Sequence, residues 1–389
     1  MEAQPAEAIH ASSLVSILSA SNFVIGMGAF VVVGLLTPIS TSFGMSTSGA
    51  GWVMTVYAIA YAISSPLLVA GTGRIGRRRV MAAGLGLFAV ACLMSAVAPN
   101  PTVLLAARVL AAAGAGLFTP IAAATAAALS PPDRRARSLA AVFFGLTLAQ
   151  VVGVPVGSYI AYTFGWRLAF GIVAALAVPC IWLIWTRVPA GLKFQPVSLS
   201  DLRSILGNGP VLLAVLFTTS FLGSVYVIYT YMAPLLEETM GFGRNGIALA
   251  LVVFGCGAVI GNLLGGVLAD RVGPVCTLIG LAGLQIVIMP VFSLLPLAPI
   301  GLVGLIMVWS VFGWSFMAGQ QVRLIAMEPQ SAGVVLALNA AAIYVGAALG
   351  SSLGGAVLDR FGLAALGIAG GAVAALALAH ILISTRLNS

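Results

Sequence analysis

Charge is what this sequence has least of. Only 7% of its 389 residues are charged, while 61% are hydrophobic; a soluble domain carries about 25% charged residues. A water-soluble fold cannot hide so much apolar surface, because much of any folded surface faces solvent. Acids are especially sparse. Glu2, Glu7, Asp133, Asp201, Glu237, Glu238, Asp270, Glu328 and Asp359 are all of them, and each falls in a polar stretch or at the edge of an apolar block. The two histidines stand apart, His10 in the N-terminal tail and His380 near the end of the last block. Four cysteines, Cys92, Cys180, Cys256 and Cys276, lack metal-ligand spacing and read as small apolar packing residues, so neither a metal nor a disulfide is expected. No cluster of catalytic spacing lies within the apolar blocks. The chain is therefore expected not to be an enzyme and to need no cofactor.

What is present is length of apolar run. The blocks reach roughly 20 residues or more, the thickness of a bilayer's hydrocarbon core. Twelve helices follow, over Leu14–Ile39, Gly51–Ala70, Val80–Ala98, Thr102–Leu129, Leu139–Tyr162, Leu168–Thr186, Val211–Leu236, Ile247–Ala269, Val275–Leu295, Ile300–Ile325, Gly333–Leu358 and Leu363–Ser384. A polar stretch with Pro and Gly, Arg187 to Pro210, separates the sixth from the seventh. The expected fold is an all-α membrane protein of twelve transmembrane helices in two pseudo-symmetric six-helix bundles, 1–186 and 211–389, joined by a linker over 187–210. The N-terminus carries Glu2 and Glu7 rather than a basic region, and the first block exceeds a signal core, so no cleavable signal peptide is expected.

The basic residues set the orientation. With both termini cytoplasmic, the inner loops hold Arg74, Arg77, Arg78, Arg79, Arg134, Arg135, Arg137, Arg187, Lys193, Arg203, Arg271, Arg323 and Arg386. The outer loops hold only Arg167, Arg244 and Arg360, and Arg108 alone lies inside a span. That bias is the positive-inside pattern. It accounts for the net charge of +8 without a nucleic-acid partner.

One offset of 197 residues aligns the halves. Arg74 falls on Arg271, Gly76 on Gly273, Pro132 on Pro329, Gly153 and Gly157 on Gly350 and Gly354, and Phe164-Gly165 on Phe361-Gly362. Parallel six-span repeats are a transporter architecture. The loop after the eighth helix reads Gly266-Val267-Leu268-Ala269-Asp270-Arg271-Val272-Gly273, and that after the second reads Gly71-Thr72-Gly73-Arg74-Ile75-Gly76-Arg77-Arg78-Arg79. The first resembles the G-x-L-A-D-R-x-G signature of the major facilitator superfamily; the second is a degenerate copy with Gly73 where the family has Asp. Arg108 with Gly114 and Gly116 is similar to the family's R-x-x-x-G-x-G pattern. Gly145, Gly153, Pro155 and Gly157 resemble its exporter-associated G-x-P-x-G element. The likeness is strongest to the twelve-span drug and sugar efflux branch, near the arabinose, purine and chloramphenicol exporters. It implies a secondary active exporter of a small organic or drug-like molecule, an antiporter of the multidrug-resistance kind, in the bacterial inner membrane, functional as a monomer. By the same resemblance Gly73, Arg74, Arg77, Asp270 and Arg271 form inner latches, and Pro155 and Gly157 belong to a helix that sets direction. Pro155, with no N–H, is expected to kink that helix.

An ionisable group within a span is costly and usually functional, which singles out Arg108. It is open to binding an anionic substrate, pairing with carbonyl dipoles, or controlling water access. The resembled branch commonly has Gly-x-x-Glu-Phe in its first helix. Here the stretch is Gly26-Met27-Gly28-Ala29-Phe30, with Ala29 at the acid's place. A facilitator or exchanger of a small anion held by Arg108, without proton coupling, is thus a second reading. The candidate substrate cavity comprises Asn22, Phe30, Tyr57, Tyr61, Arg108, Gln150, Tyr226, Tyr229, Trp309, Trp314, Asn339 and Tyr344, an aromatic set with few polar groups that suits an amphiphilic ligand. Gln285 is another polar residue inside a span. Trp52, Trp166, Trp182 and Trp185 stand near span ends and are expected to be interfacial anchors.

Overall fold

Inside a bilayer only the chain itself can pair with backbone N–H and C=O groups, so each apolar block must close its own hydrogen-bond ladder as a helix. A computed structural model of the chain, describing residues 5–131, 135–192 and 207–386, has this form. Twelve helices are long and apolar enough to cross a membrane. They are α1 Ser13–Gly34, α2 Thr47–Gly71, α3 Arg77–Ala96, α4 Pro101–Leu129, α5 Arg137–Phe164, α6 Trp166–Arg187, α7 Gly209–Met240, α8 Arg244–Val272, α9 Pro274–Leu294, α10 Pro299–Met327, α11 Val334–Phe361 and α12 Leu363–Arg386. Among the described residues there is no strand. An even number of spans brings both ends of the chain to one side, the terminal face.

The first six helices pack in a pattern that the last six repeat. α1 lies on α5 as α7 lies on α11; α2 on α4 as α8 on α10; α3 on α6 as α9 on α12. The two sets meet where α2 runs along α11 and α5 along α8. The repeated Phe-Gly pair has a local cause. Phe164 and Phe361 are the last residues of α5 and α11, and Gly165 and Gly362 follow with φ of 94° and 78°. Those values suit a residue without a Cβ, so the shared sequence register is a shared helix stop.

The leading helix of each half is broken. α1 tightens into a 3₁₀ turn at Val31–Gly34 before continuing as Leu36–Phe43. α7 is interrupted at Thr230 and Tyr231, between Gly209–Tyr229 and Met232–Met240. The 197-residue offset carries one break onto the other. In α5 the effect of Pro155 is displaced: a π-helical turn occupies Ala149–Gly153 just ahead of it, absorbing the missing N–H as an extra residue in the ladder.

Small residues bring these helices together. A Cβ on Gly145 of α5 would overlap the Ser19 carbonyl oxygen of α1, and one on Gly350 of α11 would overlap the Gly223 carbonyl oxygen of α7. Close backbone approach of this kind is how helices associate in lipid, where apolar side chains gain nothing by leaving solvent.

Several sequence expectations need correction. Arg323 was assigned to an inner loop, but it lies in α10, is buried, and donates to the Ser384 hydroxyl of α12. Arg77 opens α3 and is also buried. Arg108 is therefore not the sole enclosed cation. Trp52, Trp182 and Trp185 are at least half exposed, as interfacial anchors are, but Trp166 is 3% exposed and packs against Phe43 and Phe170. Arg134, Lys193, Arg203, Asp133, Asp201, Pro132 and residues 193–206 of the linker lie outside the described residues.

The seams give a direct prediction. Gly145→Ala and Gly350→Ala should each destabilise the protein by about 1–3 kcal/mol, the usual cost of overpacking. Gly86→Ala, where an added Cβ meets nothing within 4 Å, should leave thermal unfolding in detergent unchanged or slightly raised.

Candidate functional site

The site is built around the change of helix type in α1. Gly28 and Ala29 sit immediately ahead of the 3₁₀ turn, where the ladder switches partners, and each carbonyl oxygen has a second lone pair to offer. Arg108 of α4 uses both: its Nη1 donates to the Gly28 oxygen at 2.8 Å and its Nη2 to the Ala29 oxygen at 3.1 Å. The guanidinium carbon stands 4.3 Å from the centre of the Tyr57 ring and 5.6 Å from that of Phe170. Arg108 is fully buried, and its Nε has no hydrogen-bond partner.

Magnitudes show why no carboxylate is needed here. Inserting an arginine at mid-span costs about 2.5–3.5 kcal/mol on insertion scales. Two charge-assisted hydrogen bonds contribute about 1.5–3 kcal/mol each, and a desolvated cation–π contact about 2 kcal/mol. The position held by Glu in the resembled branch is Ala29, and Arg108 takes that residue's backbone oxygen instead of a side chain.

An aromatic chain leads from this cation into the other half. Tyr57 and Tyr61 of α2 face Tyr344 of α11; Tyr61 and Tyr344 are stacked with centroids 3.7 Å apart, and Tyr57 is 6.4 Å from Tyr344. Tyr226 of α7 belongs to a second aromatic group. It meets Tyr229 edge-on at 5.6 Å; Tyr229 stacks on Phe254 at 4.2 Å, and Phe254 lies 5.1 Å from Trp309. The hydroxyl of Tyr57 and the indole nitrogens of Trp309 and Trp314 are buried without partners. Tyr57, Tyr61, Arg108 and Tyr344 are thus joined in one set across the halves, and Tyr226, Tyr229, Phe254 and Trp309 in another within the last six helices.

The buried amides are occupied differently. Asn22 donates to the Val142 oxygen at 3.2 Å and accepts from Thr119 at 2.9 Å, tying α1 to α5 and α4. Asn339 accepts from Thr218 at 2.5 Å, tying α11 to α7. The 197-residue offset places Asn339 on Val142 but Asn22 on Thr219, so the two bonds join corresponding helices one residue out of register. Gln285 donates to the Trp309 oxygen at 3.4 Å. Gln150 has a buried amide oxygen without a partner and sits on the π turn of α5, where Gly255 of α8 packs against its backbone. Phe30 is buried at the junction of the α and 3₁₀ turns.

The candidate latch residues divide between two ends. Pro155 and Gly157 are buried in α5, with Gly157 facing Val31 of the α1 break. On the terminal face, Asp270 and Arg271 occupy the last turn of α8 and are exposed; Asp270 has neither an ion pair nor a hydrogen bond among the described residues. Arg74 is exposed, Gly73 is buried, and the Arg77 backbone N–H donates to Leu192. Three hydrogen bonds join the halves at the other end. Tyr162 donates to Glu237 at 3.1 Å, Arg244 to Thr163 at 3.4 Å, and Ser351 to the Gly51 oxygen at 3.3 Å. Tyr231, at the break in α7, donates to the Ser351 oxygen at 3.0 Å with its ring against Gly51, Gly354 and Gly355. Sequence reading missed Thr119, Thr218, Phe170, Phe254 and Tyr231. Only Tyr231 had a visible cue, its place in the Tyr226, Tyr229, Tyr231 cluster.

Twelve spans in two matched sets, closed against each other at one end around an enclosed cation and an aromatic bridge, define a polytopic membrane transporter. The model of the Major Facilitator Superfamily matches residues 18–350, and the chain belongs to that family. The chain is 33% identical over 353 residues to the MFS-type transporter YtbD of Bacillus subtilis, covering 89% of this chain and 88% of the relative. It is 30% identical over 370 residues to the inner membrane transport protein YdhP of Escherichia coli, covering 95% of each. The fold is shared with a bacterial homologue of the human lysosomal transporter Spinster. Its inward-facing unoccupied form aligns over 99% of this chain and 98% of that one, with a TM-score of 0.74 and 17% identity. Its inward-facing occupied form gives 0.76 at 18% identity, over 96% and 97%.

Lysine cannot reproduce a two-carbonyl fork. Arg108→Lys loses at least one charge-assisted bond, so transport should fall by roughly tenfold or more. Asn22→Ala should instead lower thermal stability with little change in the affinity for substrate. Flux in proteoliposomes and unfolding of the purified variants check both.

Proposed function

We propose that this transporter exports a small organic, drug-like molecule across the bacterial cytoplasmic membrane by alternating access. The moving parts are two half-bundles, residues 1–186 and 211–389, joined by the linker at 187–210, with both termini cytoplasmic. The observation that carries this reading is the aromatic bridge: Tyr57 and Tyr61 of one half lie against Tyr344 of the other, beside a fully buried Arg108. An aromatic lining with few polar groups suits an amphiphilic or aromatic ligand, and a midplane site between repeats is where such transporters bind cargo. The bias of Arg and Lys toward the terminal face supports the orientation. With that orientation, the bonds between Tyr162 and Glu237, and between Ser351 and Gly51, close the outer side, and the unpaired Asp270 fits an inner latch that is released. The Spinster homologue's inward-facing forms are in keeping with this.

A second reading has its own support. Among the described residues no carboxylate reaches Arg108, whose charge is met only by carbonyl oxygens and ring faces. Exchange or facilitated movement of a small anion would use that uncompensated charge.

The two readings separate in proteoliposomes loaded with aromatic dyes or with small carboxylates. Efflux of dye from the terminal-face side supports export. Strict dependence on counter-substrate, with anions only, supports exchange. Because no acid among the described residues lies at the centre, an imposed pH gradient should change the flux of a non-ionisable substrate by no more than roughly twofold. A strong pH drive would place the coupling group elsewhere.

A further inference from the structure

At the face away from the termini, the ends of α1, α5, α6 and α7 enclose a crevice of about 590 Å³. That is within the range of ligand pockets, about 300–1,000 Å³. It contains a carboxylate, Glu237, and a guanidinium, Arg167, from opposite halves of the molecule. The two do not pair. Oε2 of Glu237 accepts from the Tyr162 hydroxyl at 3.1 Å. Arg167 donates to the Ser42 hydroxyl at 3.1 Å and the Ala98 oxygen at 2.8 Å, and stacks 4.3 Å from the Trp166 ring centre. Opposite charges therefore share one crevice, each held by neutral groups, with donor and acceptor capacity to spare. Two further polar side chains line it. The indole N–H of Trp166, a residue only 3% exposed, is buried with no partner, and the Thr37 hydroxyl lies beside that of Tyr162. Buried polar groups are ordinarily satisfied, so this cluster is incomplete as it stands.

We propose that the crevice is a second ligand site, distinct from the aromatic centre, and that it takes a small zwitterion. The ligand's ammonium meets Glu237. Its carboxylate meets Arg167, with the Trp166 N–H completing its hydrogen bonds. Because α7 supplies the acid and the other half supplies the remaining groups, the site is complete only while the halves meet on this face. The proposal stands on this geometry and not on the direction of transport.

Titration calorimetry on the full-length protein in lipid nanodiscs tests it, with glycine, β-alanine and γ-aminobutyrate as probes. Propionate and n-butylamine serve as single-charge controls. At least one zwitterion should bind about tenfold more tightly than either control, the worth of one additional charged contact. Glu237→Gln and Trp166→Phe should each weaken that binding by a similar factor, and Trp166→Phe remains informative if Glu237→Gln fails to fold. Zwitterions binding no better than the controls, or a folded Glu237→Gln or Trp166→Phe protein binding as wild type does, would overturn the assignment.

Discussion

The rest of this structure depends on a guanidinium that has no carboxylate. Arg108 is fully enclosed and is held by the backbone oxygens of Gly28 and Ala29 and by the faces of Tyr57 and Phe170. Such a cation fixes its surroundings. It needs carbonyls with lone pairs directed toward it, and these lie where α1 passes from α-helix into the Val31–Gly34 turn. It needs an aromatic face, and α2 supplies one in Tyr57. The helix that carries the cation, the helix that breaks and the helix that faces the other half are thereby bound to one charge.

The break in α1 and its mate in α7 give the two halves their matched geometry. Each is backed by a glycine seam, from α5 in one half and α11 in the other, where backbones come closer than any side chain allows. Bonds between halves gather at the end away from the termini, around Tyr162, Glu237, Gly51 and Ser351, and Tyr231 bonds Ser351 within its own half. Packed helices joined across one end and not latched through Asp270 at the other form an arrangement with two sides to exchange, as a family of alternating-access transporters requires.

Much of this was legible in the chain itself, for reasons that are physical. Spans were legible because lipid imposes a length and forbids unpaired backbone. The repeat was legible because a helix stop at positive φ requires glycine, which fixed Gly165 and Gly362 in one register. Arg108 stood out because an ionisable residue within an apolar run is conspicuous. Partner choice was not legible. Asn22 and Asn339 read as cavity residues, yet each bonds a threonine roughly a hundred residues away in sequence, and nothing local announces such a contact. The α1 break has no proline within Val31–Gly34; tertiary packing by Gly157 and Ser158 accompanies it. Trp166 was misplaced because its helix and packing begin ahead of the apolar run, and Arg323, inside the Ile300–Ile325 block, because hydropathy does not register a bond to Ser384 of α12.

Arg108 holds the α1 break in place through the Gly28 and Ala29 oxygens. Hydrogen–deuterium exchange across residues 26–36, compared between the wild-type protein and Arg108→Gln in nanodiscs, tests it most directly. Exchange in the variant should be faster in that segment alone, with α7 around Thr230 unchanged. Equal protection of residues 26–36 in the two proteins would contradict it.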